Sequence, residues 1–245
     1  MTGERIEKTS FVVQIGDDLV VLSPRLQAVL DFIKADTQKK ILTDIGTDHA
    51  YLPIAAVKQG ICGSAIACDL HPGPLSIAAD NIRSAGLEDK IKTRLGNGFM
   101  PLSPGEADCV VIAGMGGMRI WGIILEGMAK ARAASRLILQ PQHDDVLLRK
   151  KLHENGFEIQ GEKLSRETVG NKEHFYVVLA ARYIGEVGRW TEREYFLGKF
   201  LIEDGGKDFS AYIQSKHKKI AAYISQISDK SVLSAAKQHL EWLKQ

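Results

Sequence analysis

The sequence has only three cysteines, Cys62, Cys68 and Cys109, and none stands in a Cys-x-x-Cys pair or a cysteine/histidine cluster. That scarcity argues against a zinc site and against a disulfide framework, and leaves buried, reduced thiols as the expectation. No apolar run approaches the roughly 18 residues that a membrane helix needs. The first residues carry charges at Glu4, Arg5, Glu7 and Lys8 where a signal peptide would place its apolar core. A cytoplasmic protein without a membrane partner is therefore expected. Internal repeats and low-complexity tracts are missing too. Neither sign of charge dominates: 32 Lys and Arg against 30 Asp and Glu give a formal net charge of +2. Such a balance neither demands nor excludes nucleic acid, because a local patch suffices to bind phosphate.

One further absence is the most informative. Directly after the apolar pair Ile41-Leu42, residues 44–53 read Asp-Ile-Gly-Thr-Asp-His-Ala-Tyr-Leu-Pro. A strand ending in Asp-x-Gly and turning into a helix opens the ligand site of many nucleotide-binding α/β proteins. In the dinucleotide fingerprint a second and a third glycine let the backbone approach a pyrophosphate. Here Asp48 stands where the second glycine belongs. Its carboxylate would repel a pyrophosphate, so a ligand without phosphates fits better. S-adenosylmethionine, with a sulfonium, an ammonium and a ribose diol, is such a ligand.

The 245 residues suffice for one large domain with a smaller appendage. Phe11-Val12-Val13 and Leu19–Leu22 flank Gly16-Asp17-Asp18, a hairpin pattern within an N-terminal extension over 1–22. Ser23-Pro24 starts a helix, serine as cap and proline in the first turn, with Leu26, Val29, Leu30 and Ile33 on its packing face. Strands are expected at Lys40–Ile45, Ser64–Cys68, Ile91–Leu95, Cys109–Ala113 and Leu137–Leu139. Helices fit between them at Ala50–Gln59, Pro74–Ala85, Met118–Lys130 and Val146–Asn155. Short, wholly apolar strands alternating with helices indicate a parallel sheet covered on both faces. Phe157–Leu164 and Phe175–Arg182, joined by a polar turn at Thr168–Glu173, add an antiparallel hairpin. The expected fold is thus α/β, a class I (Rossmann-like) methyltransferase sheet over residues 23–185. Beyond about residue 186 the pattern is helical. Two stripes (Tyr212, Ile213, Ile220, Tyr223, Ile224, Ile227; then Val232, Leu233, Ala236, Leu240, Leu243), broken at Ser228-Asp229, predict an antiparallel, coiled-coil-like pair in a C-terminal domain over 186–245.

In open α/β sheets ligands lie at the carboxyl ends of the strands. Four segments converge there. Asp44, Gly46, Thr47, Asp48 and His49 follow the first strand of the sheet, with Tyr51 in the next helix turn. Asp69, followed by Leu70, ends the second and is placed for a ribose diol. Gly96-Asn97-Gly98 follows the third, where Asn97 can read an adenine amino group. Ala113-Gly114-Met115-Gly116-Gly117 closes the fourth, beside the methyl-transfer centre. Singly, each has a plainer reading: Asp69 or Asp48 as a helix cap, the glycine pairs as turns. Their joint placement favours the cofactor site, with Asp48 as the catalytic residue. Many amino-methylating enzymes carry Asn/Asp-Pro-Pro-Tyr/Phe after the fourth strand to clamp a planar amino group. This chain has Ala-Gly-Met-Gly-Gly there, which disfavours that mechanism. Leu139-Gln140-Pro141-Gln142-His143 follows the fifth strand.

These segments together resemble the bacterial TrmK family, the tRNA (adenine-22-N1)-methyltransferases. The matching elements are Leu22-Ser23-x-Arg25-Leu26, the Asp44–Pro53 block, Asn97-Gly98, Ile112–Gly117 and Leu137–Pro141, and the likeness runs from about Leu22 to Arg182 and more loosely through the helical tail. Departures are Gln142 where the family commonly has asparagine, Asp69 where glutamate is frequent, and the extension through Val21. The resemblance implies methyl transfer from S-adenosylmethionine to N1 of an adenine in the D arm of tRNA, with the base unstacked into the pocket. For tRNA contact the tail offers seven lysines against three acidic residues from Lys207 onward, about +4 locally. Lys216, Lys218 and Lys219, with Arg25, are the candidate RNA-binding residues. A methyltransferase on another RNA or a small molecule, or a non-catalytic RNA-binding protein, is the alternative. A monomer is expected, because the tail helices can cover each other.

Overall fold

The computed structural model describes residues 12–35, 41–106, 108–226 and 229–244. Val12–Ile15 (β1) and Asp18–Val21 (β2) form the N-terminal hairpin, which turns at Gly16 with φ +59°. Gly16 N donates to Ser84 O at 3.0 Å, and Val13 and Ile15 are buried. The hairpin is thereby anchored in the core, even though it precedes the first helix.

Pro24–Lys34 (α1) starts as its sequence predicts: Ser23 Oγ accepts a hydrogen bond from Leu26 N, and Ala28, Val29, Leu30 and Ile33 are buried. Then follow Ile41–Ile45 (β3), Tyr51–Lys58 (α2), Ser64–Asp69 (β4), Pro72–Ser84 (α3), Ile91–Leu95 (β5), Cys109–Met115 (β6), Gly117–Glu126 (α4), Met128–Ala133 (α5), Arg136–Pro141 (β7) and Asp145–Glu154 (α6). The single helix expected at Met118–Lys130 is two. The break is at Gly127 (φ −101°, ψ 22°), and the missing Cβ makes room for Phe99: it would stand 2.6 Å from Phe99 Cβ.

Phe157–Val169 (β8) and Lys172–Tyr183 (β9) are longer than expected. Thr168 pairs with Glu173 and Val169 with Lys172, so residues read as a polar turn belong to the ladder. Alternating burial carries no signal there, because this end of the hairpin is solvated on both faces.

The strand order is β5-β4-β3-β6-β7-β9-β8, parallel from β5 to β7 and antiparallel for β9 against both neighbours. The strands alternate between two cores. Leu42, Cys109 and Val111 face α1, α2 and α3, while Val110 and Ile112 face α4, α5 and α6. Both layers exclude water, which stabilises the sheet roughly in proportion to the apolar area covered. All three cysteines are buried; burial pushes the Cys62 thiol up to about 11 and Cys68 to about 12.

The tail comprises Glu192–Leu197 (α7), Lys199–Asp204 (α8), Phe209–Tyr223 (α9) and Lys230–Trp242 (α10), the last capped by Asp229. Its two long helices do not form the isolated coiled-coil pair that their stripes suggest. Phe196 of α7 comes between them: its ring stacks on His239 at 4.0 Å and takes Lys216 over its face at 4.7 Å. Tyr212 is buried in the core shared with α4 to α6, and Val232 is half-exposed. Tyr212 of α9 thus docks on the sheet domain, while Ile213 and Ile220 pack in one cluster with Leu240 and Leu243 of α10 and with Phe196 and Leu197 of α7. Ile227 and Ser228 lie outside the described residues. Among the described residues no helix is long and apolar enough to cross a membrane.

Candidate active site

From β3 the chain crosses by α2 to β4 on one side, while β6 pairs with β3 on the other. Their carboxyl ends diverge at this switch, and ligands enter such a crevice. Asp44 stands at its floor, buried, with its Oδ2 accepting from Thr47 Oγ1 at 2.8 Å. Burial raises its carboxyl to about 6; the Thr47 hydrogen bond pulls it down and the charge of Asp69 pushes it up. Gly46 N and Thr47 N both donate to Cys68 O, at 2.8 and 3.0 Å, which ties the loop to β4. Gly46 has φ +81°, and a Cβ there would collide with the methyl of Met115. The glycine answers both a left-handed backbone and a close approach from β6.

Asp48 and Ala50 have φ of +50° and +57°, a conformation that costs a side chain on the order of 1–2 kcal/mol per residue. The N-cap of α2 is Ala50, without a side-chain cap bond, so Asp48 is not the capping aspartate. Its carboxylate is 67% exposed and lies 3.4 Å from His49 Nε2. The His49 carbonyl accepts from Asn81 Nδ2 at 2.9 Å, and its ring stacks on Tyr51 at 5.1 Å and 15°.

Asp69 is largely buried and accepts from His71 N at 2.8 Å; the N-cap of α3 is His71 itself. Leu70 beside it is 47% exposed. Gly96 N donates to Asp69 O at 2.9 Å, joining the β4 and β5 exits. The Asn97 amide donates to Glu126 Oε2 of α4 at 2.9 Å. That bond engages the NH₂ and not Oδ1, the atom that would accept from an adenine amino group; Gly98 beside it has φ +52°. Glu126 had no signal in the sequence, since it lies 29 residues from its partner.

At the β6 exit Ala113 is half-buried, and Gly114 has φ +77° with its N–H donating to Gln140 Oε1 at 3.1 Å. A Cβ on Gly114 would meet no described heavy atom within 4 Å, so the crevice is open above it. Gly116 caps α4, and Gly117 N donates to His143 O at 2.9 Å. The loop after β7 is thereby joined to the β6 exit and brings His143 and Asp144 beside it, a proximity that sequence spacing did not suggest.

Of the candidate RNA contacts, Lys216 is largely withdrawn from solvent. Its ammonium lies 3.9 Å from Asp145 Oδ2 and over the rings of Phe196 and Tyr212, sunk among them. Arg25 is also engaged: its N–H donates to Glu167 Oε1 at 2.9 Å, and its guanidinium lies over Tyr176. Lys218 and Lys219 remain exposed on α9.

The family model described as tRNA (adenine(22)-N(1))-methyltransferase matches residues 42–245. The chain belongs to this TrmK family. It is 38% identical over 146 residues to the tRNA (adenine(22)-N(1))-methyltransferase of Bacillus subtilis, a stretch covering 60% of each chain. Sp1610 of Streptococcus pneumoniae, solved in complex with S-adenosyl-L-methionine, superposes with a TM-score of 0.80 at 32% identity, over 91% of this chain and 98% of that one. TrmK of M. capricolum, solved with S-adenosyl-homocysteine, does so with a TM-score of 0.76 at 26% identity, over 91% and 96%. The α/β fold, its parallel sheet and the antiparallel hairpin are those of the Rossmann-like methyltransferases.

Proposed function

We propose that the chain methylates N1 of adenine 22 in the D arm of tRNA, with S-adenosyl-L-methionine as methyl donor and Asp48 as the catalytic residue. The donor set suits that cofactor: Asp48 stands where a pyrophosphate would require bare glycine backbone, Asp44 and Asp69 offer carboxylates to a cation and a ribose diol, and the crevice above Gly114 is open. When bound, the cofactor supplies an electrophilic methyl group on a sulfonium. Asp69 would accept from the ribose hydroxyls, Asp44 would face the cationic end, and the Gly98 and Gly114–Gly117 backbones would line the adenine and the reacting edge. Thr47, His49, Tyr51, Leu70, Ala113 and Met115 complete the walls.

Adenine N1 already carries a lone pair, so no proton has to leave before attack. Methylation puts positive charge on the ring, and an acceptor at the amino group stabilises it. The observation that carries this reading is Asp48: strained, exposed and released from helix capping, a carboxylate held where a structural role would not put it. The division of labour proposed is residues 23–185 for chemistry and 186–245 for tRNA, with Lys218 and Lys219 meeting phosphate. Asp48→Ala tests the chemistry. Cofactor affinity by calorimetry should hold, while single-turnover methylation of tRNA falls at least about tenfold, the weight of one lost charge-stabilising contact. Unchanged single-turnover rates would refute the role of Asp48.

A further inference from the structure

Methyl transfer to a ring nitrogen requires the acceptor base to be held in one plane, and an aromatic face does so without regard to hydrogen bonding. The β6 exit has no ring of its own, since Gly114-Met115-Gly116-Gly117 contains no aromatic residue. The neighbouring strand brings one there. His143, two residues beyond β7, lies over Gly116 so closely that a Cβ on that glycine would stand 2.5 Å from His143 Cε1 and 2.8 Å from Nε2. The imidazole thus fills the place that a side chain at position 116 would take.

The ring is restrained from several directions. Gln142 N donates to Met115 O at 2.8 Å and Gly117 N to His143 O at 2.9 Å, which stitches the β7 exit to the β6 exit. A Cβ on Gly117 would stand 2.6 Å from Asp144 O, so the close fit depends on two successive glycines. His143 Nδ1 donates to Asp144 Oδ2 at 2.8 Å, and Asp144 itself is held at φ +60°. Yet the His143 side chain remains 69% exposed. On the β3 side of the crevice, by contrast, His49 and Tyr51 stack on each other and each covers one face of its neighbour.

We propose that His143 is the face on which the target adenine stacks, and that Asp144 is a positioning residue that fixes the plane of its ring. The inference rests on the adenine-N1 reading above and adds to it the residue that receives the base. A restrained, exposed ring beside the methyl-transfer centre supplies what Asp48 does not: Asp48 meets the edge of the base, His143 its face.

The test is methylation of a tRNA transcript carrying adenine 22 by the full chain and by His143→Ala, His143→Gln, His143→Phe, Asp144→Asn and Gly116→Ala. S-adenosylmethionine affinity and melting temperature are measured beside the rates. His143→Ala and His143→Gln should lose about tenfold or more in kcat/KM for tRNA, the range that base–aromatic stacking provides. Their cofactor affinity should be unchanged, and His143→Phe should recover most of the activity. Asp144→Asn should lose less than His143→Ala, and Gly116→Ala, which displaces the ring without altering it, should reproduce the loss. An active His143→Gln beside an inactive His143→Phe would overturn stacking in favour of a hydrogen bond. Loss of cofactor affinity in step with activity would reduce His143 to a structural part. Wild-type activity with His143→Ala undiminished would overturn the inference alone, whereas a wild type that leaves adenine 22 unmodified would overturn the adenine-N1 reading and this inference with it.

Discussion

Arg149 is fully buried, and its guanidinium joins three parts of the chain. Nε donates to Glu162 Oε1 of β8 at 2.7 Å, and Nη1 donates to Asp145 Oδ2 at 2.6 Å and to Tyr195 O at 3.1 Å. The Glu162 carboxylate is equally sealed and also accepts from Phe200 N at 3.1 Å. Burial pushes the Asp145 carboxyl up, but Lys216 and Arg149 outweigh burial and hold it below the ordinary carboxylate range. Arg149→Met keeps the volume and removes the charge, which strands Glu162 without its cation. Breaking a buried pair from one side costs about 3–5 kcal/mol. At about 2–4 °C per kcal/mol for a chain of this size, the melting temperature at neutral pH should fall by about 6–20 °C. Scanning calorimetry reads the shift, and urea unfolding reads the free energy. Because the cost is that of an orphaned carboxylate, adding Glu162→Leu should return at least half of it. A single variant within about 1 kcal/mol of wild type, or a double variant worse than the sum of the singles, would refute this account of the junction between sheet domain and tail.

Other consequences are as concrete. Asp44 titrates at about 6 in the fold against an ordinary 3.8, so the folded state holds the extra proton between those values. Stability therefore falls as pH rises through that window, by about 3 kcal/mol in all, and stays lower above it. Asp44→Asn should flatten the pH profile of unfolding and stabilise the apo chain at pH 7.5, yet weaken S-adenosylmethionine binding; a variant with unchanged pH dependence would exclude Asp44 as its source. Paired charge reversal at Lys218 and Lys219 should weaken tRNA binding, most at low salt, without moving the melting temperature. Lys216→Met should do the opposite, lowering stability with little effect on tRNA affinity, and electrophoretic shift and melting assays separate the two. Gly46→Val forces a β-branched residue into φ +81° against Met115 and should cost at least about 2 kcal/mol by urea unfolding; a loss under about 0.5 kcal/mol would mean the loop relaxes freely.

The sequence was legible where the physics is local. Short, continuous apolar strands separated by helical segments gave the alternation from β3 to α6, and Ser23-Pro24 marked the start of α1 through its own cap. The strand-end rule then gathered Asp44, Asp48, Asp69 and the Gly114–Gly117 turn at one crevice without any coordinates. What escaped depends on partners distant in the chain. Lys216 reads as one of a basic cluster, but Asp145, Tyr212 and Phe196 claim it. Glu126, which accepts from the Asn97 amide, lies 29 residues away and gives no sign of that bond in the sequence. Gly127 leaves room for Phe99, and Gly116 leaves room for the His143 ring. The same pairings change the meaning of truncation. Removing the tail would take Tyr212 and Leu201 out of the main core and leave the sheet-domain residues they pack against uncovered, so charge reversal is the sharper probe of its role in tRNA binding.

The central claim is methyl transfer to one atom of one base. Purified chain, S-adenosylmethionine and a tRNA transcript carrying adenine 22 should yield N1-methyladenine at that position, located by primer extension and nucleoside mass spectrometry, and the matched transcript with guanine 22 should yield none. Methylation at another position or another atom, or equal incorporation into both transcripts, would contradict the account.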